Sequence, residues 1–511
     1  MLKNLISFVR VYVKPFLKKE HGMKRYIPLF LLLAAVTTLN NAITAPTHPY
    51  EVKSKTYFSV PQMYQPATPE YSAFFDGQKA KDGVGGSFDA AGFFAKSTNY
   101  KQLGRYFSPH GSDSITVATI EGADVDVLAD YLGIASDGFK STIVLKPEYT
   151  TYGFGLRYKQ DLGDTFFFDI SAPITYVAAE IKLNETIATT GTIVTATATA
   201  SSVEAAFKQE NWTYGKIDGK QTKWGIGDVV FNVGWKYKDI EDPNYLESYV
   251  GVLIPVGNKP EAKYMFEPVV GHGGHFGILA GGHAKLQIWE DEKGDSSLAF
   301  KADSKGQYLF ARTQKRSFDL RGKPWSRYMK YYASEADVLT GTYKDGINYL
   351  TKDVKVTPRM SVAGNCAFVY VNEGFDCELG FGILARQAEK VVLSGTYDDT
   401  IGIASLAGAI TDNTGAISPA STIDKEFASK TSGEYPQEML LSSATVKEAD
   451  LDLCSAAHPA IIKCNTSLAL GYRWDDQDYP CIVGLGGAFD FGLDNTVMNK
   501  WSLWGKFGFS F

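Results

Sequence analysis

The chain has 511 residues, a formal net charge of −6 and 21% charged side chains, with 31 Phe, 29 Tyr and 49 Gly. So small a net charge excludes bulk attraction to nucleic acid, and the charged share is not that of a disordered chain. The aromatic and glycine content suits pleated strands, tight turns and rings at an interface.

At the start, Lys24 and Arg25 precede an apolar run from Ile27 to Val36, followed by Asn40-Asn41-Ala42-Ile43-Thr44-Ala45. A basic region, a short apolar centre and small residues predict a cleaved secretory signal peptide over residues 1–45, with Ala42 and Ala45 as cleavage positions. The stretch before Met23 lengthens the basic region, as a long signal or an unused upstream start would. The run is too short for a membrane anchor, which needs about 20 residues. Elsewhere no apolar segment is long enough to span as a helix, so the exported chain is either soluble or crosses a membrane as a closed barrel. Residues 46–84, with Pro61, Pro66 and Pro69 among Tyr and Phe, are expected to form a periplasmic or lumen-lining lead-in.

Period-2 alternation then dominates, placing successive side chains on opposite faces of strands. Gly86–Ala95 reads as the first strand, followed by a loop to about Ser141. Tyr152, Phe154, Leu156 and Tyr158 face away from Gly153, Gly155, Arg157 and Lys159. Phe166, Phe168, Ile170 and Ile174 oppose Phe167, Asp169, Ser171 and Thr175. Val229, Phe231, Val233, Trp235 and Tyr237 oppose Asp228, Asn232 and Lys236; Val250, Val252 and Ile254 continue more weakly. Phe276, Ile278, Leu286 and Ile288 oppose His275, His283 and Lys285, and Leu298 and Phe300 oppose Lys301 and Asp303. Met360, Val362, Cys366, Phe368 and Tyr370 oppose Arg359, Ser361 and Asn365; Phe375, Cys377, Leu379, Phe381 and Ile383 oppose Asp376, Glu378 and Arg386. Leu468, Leu470, Tyr472 and Trp474 oppose Arg473, and Cys481, Val483, Leu485, Phe489 and Phe491 oppose Asp490. Trp501, Leu503, Phe507, Phe509 and Phe511 end the chain, against Lys506 and Ser510. These apolar faces carry no charge, and a Lys or Arg facing lipid at mid-depth costs about 2–4 kcal/mol.

A soluble sandwich alternates too, so the connections decide. Short turns at Asp161–Asp164, Asp239–Asn244, Asp291–Asp295, Asn372–Gly374 and Asp475–Tyr479 are interleaved with long connections at Asn184–Lys223, Gly257–Gly273, Thr313–Lys352 and Gln387–Pro459. That asymmetry predicts an all-β fold, a transmembrane antiparallel up-and-down β-barrel over residues 85–511. It has twelve strands, or fourteen if a pair hides in a long loop, and an even number puts both termini on the periplasmic side. Asp124–Leu132 and Ser202–Gln209 read as short helices within loops, and Thr186–Ser202 as a mobile Thr/Ala run.

With its signal peptide, alternating hairpins and terminal FGFSF, the sequence resembles the outer-membrane β-barrel superfamily, and within it a general porin. FEPVVG (Phe266–Gly271) and KRSFDLRGKPWSR (Lys315–Arg327) are loosely similar to large outer-membrane proteins of intracellular bacteria. The resemblance implies the outer membrane of a Gram-negative-type bacterium, contact with outer-membrane lipid, and Phe507, Phe509 and Phe511 as the signal read by the barrel assembly machinery.

Few constellations suggest chemistry. No GxSxG surrounds a serine and no phosphate loop is present, so no enzyme activity, cofactor or metal is expected. His275 and His283 share a face, but an i, i+8 spacing separates them by roughly 26 Å, too far to share a metal; His272 with His275 is the weaker remaining pair. Five cysteines, with no CxxC, cannot all pair within the chain; Cys366 with Cys377 and Cys454 with Cys464 are conceivable bridges, and burial as small apolar groups is the alternative. Lys315, Arg316, Arg321, Lys323, Arg327 and Lys330 sit in the Thr313–Lys352 loop, which is either solvated or folded inward to face Asp376 and Glu378 across a constriction. The leading expectation is passive diffusion of small polar solutes through a water-filled lumen. Its lining candidates are Arg157, Asp169, Lys285, Arg316, Arg321, Arg327, Arg359, Asp376, Glu378, Arg386 and Arg473. Two alternatives remain: a closed barrel for adhesion or display, and a transporter of hydrophobic compounds with the lead-in as plug. A lumen filled by bulky side chains or by residues 46–84 favours the alternatives.

Overall fold

A strand that meets lipid on one side and protein on the other must alternate, and closing the sheet on itself leaves no unpaired edge in the membrane. The computed structural model describes residues 52–74, 85–119, 125–134, 136–193, 199–237, 244–332, 343–397, 401–403, 446–475 and 477–511. The expected signal peptide, most of the Asp239–Asn244 turn and much of the Gln387–Pro459 connection lie outside these residues.

Twelve strands form one closed antiparallel sheet: β1 (Gly86–Ser97), β2 (Lys140–Leu162), β3 (Phe166–Thr189), β4 (Val229–Lys236), β5 (Tyr245–Ile254), β6 (Gly277–Glu290), β7 (Ser296–Leu309), β8 (Arg359–Asn372), β9 (Phe375–Arg386), β10 (Ile461–Trp474), β11 (Cys481–Gly492) and β12 (Lys500–Ser510). Each pairs with its neighbours in sequence, and β1 pairs with β12 from Ser87 opposite Ser510 to Ser97 opposite Lys500. Gly86 N donates to Phe511 O (2.8 Å) and Phe511 N to Gly86 O (2.9 Å), so the last residue completes the closing ladder. The twelve-strand, up-and-down expectation is what the chain forms.

The apolar rows point outward. Phe154 and Leu379 are each 61% exposed and Leu485 69%, in a continuous apolar wall that is tolerable only against lipid. Phe507 and Phe509, and Phe509 and Phe511, follow one another in one such row as tilted pairs with ring centroids 6.0 Å apart. Cys366 lies opposite Phe381 and Cys377 opposite Tyr370, so those two sulfurs do not face each other; all five cysteines are free thiols.

Strand ends depart from the expectation. Spanning needs about 9–11 residues per strand, yet β2 has 23 residues and β3 has 24. Their outer halves leave the lipid zone, where Lys146, Glu148, Glu180 and Lys182 replace the aromatic row and the apolar-out pattern stops. The long connections fold onto these extensions as a cap. One core gathers Phe58, Tyr106, Phe107, Trp212, Trp325 and Tyr328, and a second gathers Phe318, Tyr331, Leu350, Val354 and Val356. A small sheet, Arg312–Ser317 with Thr351–Thr357 and Lys390–Leu393, carries the second.

Helices are shorter than expected: a 3₁₀ turn at Ala129–Leu132, and an α-helix at Val203–Ala206 whose cap is Ser202 Oγ accepting from Ala205 N (3.1 Å). An unforeseen helix, Tyr100–Phe107, lies so close to β2 that a Cβ on Gly104 would sit 2.3 Å from Leu145 O.

Candidate functional site

The lead-in enters the barrel from the cap. Val52 N donates to Asn495 Oδ1 (2.7 Å) in the β11–β12 connection, and Ser54 N and Lys55 N donate to Ser108 O and Tyr106 O in the cap. The segment therefore starts at the loop end, opposite the turn end where Gly86 and Phe511 meet. From Tyr57 to Phe74 it passes down the barrel axis and turns once as a helix at Pro69–Ser72.

Glycines on the lumen face receive its rings. A Cβ on Gly155 would lie 2.0 Å from the Tyr64 ring, and on Gly471 and Gly484 it would lie 2.8 and 2.2 Å from Phe74. Tyr64, Tyr71 and Phe74 are fully buried, packed with Phe93, Ile482 and Trp504 of the wall. Only glycine leaves a notch deep enough for an aromatic ring at these positions.

Lumen charges hold the same segment. Lys506 Nζ donates to Tyr71 O (2.9 Å) and Ala73 O (2.7 Å), and Lys301 Nζ to Ser72 O (3.0 Å) and Glu378 Oε2 (2.6 Å). Glu378 Oε1 accepts from Phe74 N (2.8 Å), and Glu70 Oε1 accepts from Tyr64 N (2.7 Å). Carbonyls at the end of the helical turn are thus met by cations, and the Tyr64 and Phe74 N–H groups on either side of it by carboxylates, as buried backbone requires. The Arg157 guanidinium lies over the Tyr71 ring at 4.8 Å, within ion-pair reach of Asp169 (3.5 Å) and Asp89 (3.9 Å). The expected water-filled lumen lined by free charges is therefore not formed. Residues 61–74 fill it, and the charges are spent on the plug and on one another.

The predicted lining residues separate into groups. Arg157, Asp169, Asp376, Glu378 and Arg473 point into the lumen, with Arg473 Nη2 on Asp376 Oδ2 (2.5 Å). Lys285 lies half-buried on the lumen face of β6 near the turn end. Arg386, at the loop end of β9, donates to Ser59 Oγ (3.1 Å) and contacts His458 Nδ1 (2.8 Å). Arg316 sits at the cap's floor, on Glu389 (3.4 Å) and Ala456 O (3.0 Å), over the Tyr57 ring. Arg327 is buried in the cap on Asp319 (2.6 Å), Arg321 reaches Leu451 O (3.2 Å) from the cap surface, and Arg359 is exposed at the start of β8. Arg321, Arg327 and Arg359 therefore do not line the lumen. The basic loop faces neither Asp376 nor Glu378, because those carboxylates already hold Arg473 and Lys301. It folds into the cap instead of across the bore.

The histidines have separate partners. His272 Nδ1 is 2.6 Å from Asp228 Oδ2, and His283 Nδ1 is 2.5 Å from Asp303 Oδ1. Burial pushes His275 down to about 4, so near neutral pH its Nδ1–H donates to Phe310 O (2.8 Å) and its Nε2 accepts from Gln314 Nε2 (2.9 Å). Among the described residues no group of three or more His, Cys, Asp or Glu is placed to hold a metal.

Between the plug and the cap lies a partly open pocket. Met63, Pro66, Ala67, Leu309, Ala363 and Leu384 supply an apolar wall, and Lys305, Lys463, Asn465, Asp490 and Lys500 a polar one. Of these, the sequence placed only Pro66, in the lead-in, and Asp490, opposite the apolar face of its strand. The available signal was the excess of glycine and lysine on lumen-parity positions of the last strands, beside an aromatic-rich lead-in of matching bulk.

No family model and no curated protein matches this sequence. Among solved structures, it is similar to an outer membrane channel from Pseudomonas putida F1, at 10% identity over 89% of this chain and 100% of that one, TM-score 0.36. It is also similar to a TodX mutant described as a monoaromatic hydrocarbon channel, at 8% identity over 90% and 96%, TM-score 0.31. A third is the β domain of the Bordetella autotransporter BrkA, at 8% identity over 84% and 100%, TM-score 0.28.

Proposed function

We propose that this chain is an outer-membrane channel, shut in the present conformation by its own N-terminal segment, which takes up small compounds with a substantial apolar body. The carrying observation is the occupation of the lumen by residues 61–74, with Phe74 and Tyr64 in glycine notches and the lumen cations on plug carbonyls. A permanently open pore for polar solutes needs a continuous water path, and these residues stand in its way. The partly apolar cavity above the plug supports a solute that shelters from water before the plug yields, as small-molecule sites generally allow. The outward aromatic rows and closed ladder support the outer-membrane location, and Phe511 at the closure supports its part in assembly.

The test is uptake by cells whose outer membrane lacks other general channels. Cells making this protein should accumulate a labelled alkyl-benzene faster than control cells and a labelled pentose no faster. Pentose uptake matching that of an open pore would refute the reading. Equal exclusion of both solutes would favour a barrel used only for display.

A further inference from the structure

Lys305 is the anomaly of the lumen. It is 6% exposed, and its ammonium donates to Gln65 Oε1 (2.8 Å), a neutral amide. Among the described residues no carboxylate lies within 4.0 Å of it, whereas Lys301, on the same face of β7 and nearer the turn end, has Glu378, and Lys463 and Lys500 share Asp490 (2.8 and 3.6 Å). Lys463 adds to the positive field at Lys305 instead of relieving it. A buried amine without a counter-charge is costly to keep charged, and an anion beside it would remove that cost.

Other groups around the same cavity agree. Its lining holds five basic side chains, Lys305, Arg316, Arg386, Lys463 and Lys500, against three acidic ones, Glu70, Glu389 and Asp490. Gln62 and Arg386 also line it; Arg386 Nε is a buried donor without an acceptor among the described residues, and both polar ends of the Gln62 amide are likewise without a partner there. We infer that Lys305 anchors the carboxylate of a small organic acid, whose apolar body lies along Met63, Pro66, Ala363 and Leu384. This deepens the channel reading and rests on it for its biological meaning, but the site itself is a property of the pocket.

The anchor is coupled to the plug. Gln65 belongs to the plug, and its other end approaches His272 Nε2 (3.4 Å), which is itself held by Asp228. A carboxylate makes a charge-assisted bond to an ammonium, stronger than an amide oxygen does. The acid therefore competes with Gln65 for Lys305 and loosens a plug contact as it binds.

Calorimetric titration of the purified full chain in detergent tests this, with benzoate as probe, benzamide as its neutral isostere and inorganic phosphate as a plain anion. Benzoate should bind at least about tenfold more tightly than benzamide or phosphate. Lys305→Gln should erase the benzoate preference, Lys305→Arg should keep most of it, and Gln65→Leu should strengthen benzoate binding. Heat-modifiable gel migration reports whether each barrel is folded. Equal affinity for benzoate and benzamide, phosphate binding as tight as benzoate, or a folded Lys305→Gln protein with unchanged preference would each overturn the assignment. Should Lys305→Gln not fold, Gln65→Leu and the wild-type ligand series decide alone. Benzoate binding without uptake in cells would refute the channel and leave the site, whereas uptake with no preference for the acid would do the reverse.

Discussion

Phe74→Ala is expected to open the channel without unfolding the barrel. The Phe74 ring is fully buried between Gly471 of β10 and Gly484 of β11, at the lower end of the plug. Truncating a buried Phe costs about 3–5 kcal/mol, and each 1.4 kcal/mol is about a factor of ten in an equilibrium. The wall ladder does not depend on this ring, so the loss falls on the plugged state and multiplies the open fraction by about two to three and a half powers of ten. Gly484→Ala approaches the same contact from the wall, since its Cβ would lie 2.2 Å from the ring and expel it. Single-channel recording in planar bilayers reads the result. Wild-type protein should give rare, brief steps, and both variants frequent ones of one shared conductance. Two correctly folded variants as silent as the wild type would refute the plug as the gate.

Other expectations follow from the wall and the cap. Leu485→Lys, at an outward position, should lower stability in lipid vesicles by about 2–4 kcal/mol in urea titrations; an unchanged midpoint would deny that β11 faces lipid. Arg327→Ala strands the buried Asp319 carboxylate and should cost the cap about 3–5 kcal/mol, seen as cleavage of the loops by protease while the barrel still migrates as folded. Burial pushes the Asp130 carboxyl in the cap up to about 6. The neutral acid is thus favoured by folding, so its stabilising contribution is complete below about pH 4 and is lost as pH rises through 6. Asp130→Asn should therefore slow cap proteolysis near pH 8 and change little near pH 4, within about half a pH unit of the ordinary carboxyl range; equal effects at both pH values would contradict the burial argument.

The wall was legible and the plug was not, for one physical reason. Lipid imposes a one-sided rule that every spanning residue obeys, so Tyr152, Phe154 and Leu156, or Phe507 and Phe511, declare their face from local sequence alone. The rule lapses where β2 and β3 rise out of the lipid, so their outer halves declare no face, and the end of β3 from Asn184 to Thr189 falls within the expected connection. Inside the barrel a residue's fate depends on what lies across the bore. Arg157 and Asp169 could be placed on the lumen side, but nothing within β2 or β3 tells that Tyr71 will cover the guanidinium. Residues 61–74 have three prolines and no period, so no local pattern assigns them to strand or helix. The only trace of their position is complementary bulk: Gly155, Gly471 and Gly484 on the wall against Tyr64 and Phe74 on the segment.

How the plug is held also argues that it can leave. Lys506 and Lys301 grip it through the carbonyls of Tyr71, Ser72 and Ala73, and Lys305 through the Gln65 amide. These are neutral acceptors, weaker partners than carboxylates, and water can replace each of them once the segment moves. Glu378 retains Lys301 whether or not Phe74 N is present, so that buried pair survives release. The wall keeps its own contacts, the Arg473–Asp376 ion pair and the His283–Asp303 hydrogen bond, independent of the plug. Closure therefore rests chiefly on two aromatic rings in glycine notches and on exchangeable hydrogen bonds. A segment meant as permanent packing would more naturally carry carboxylates toward those lysines. This one presents backbone, which fits a seal that opens and closes.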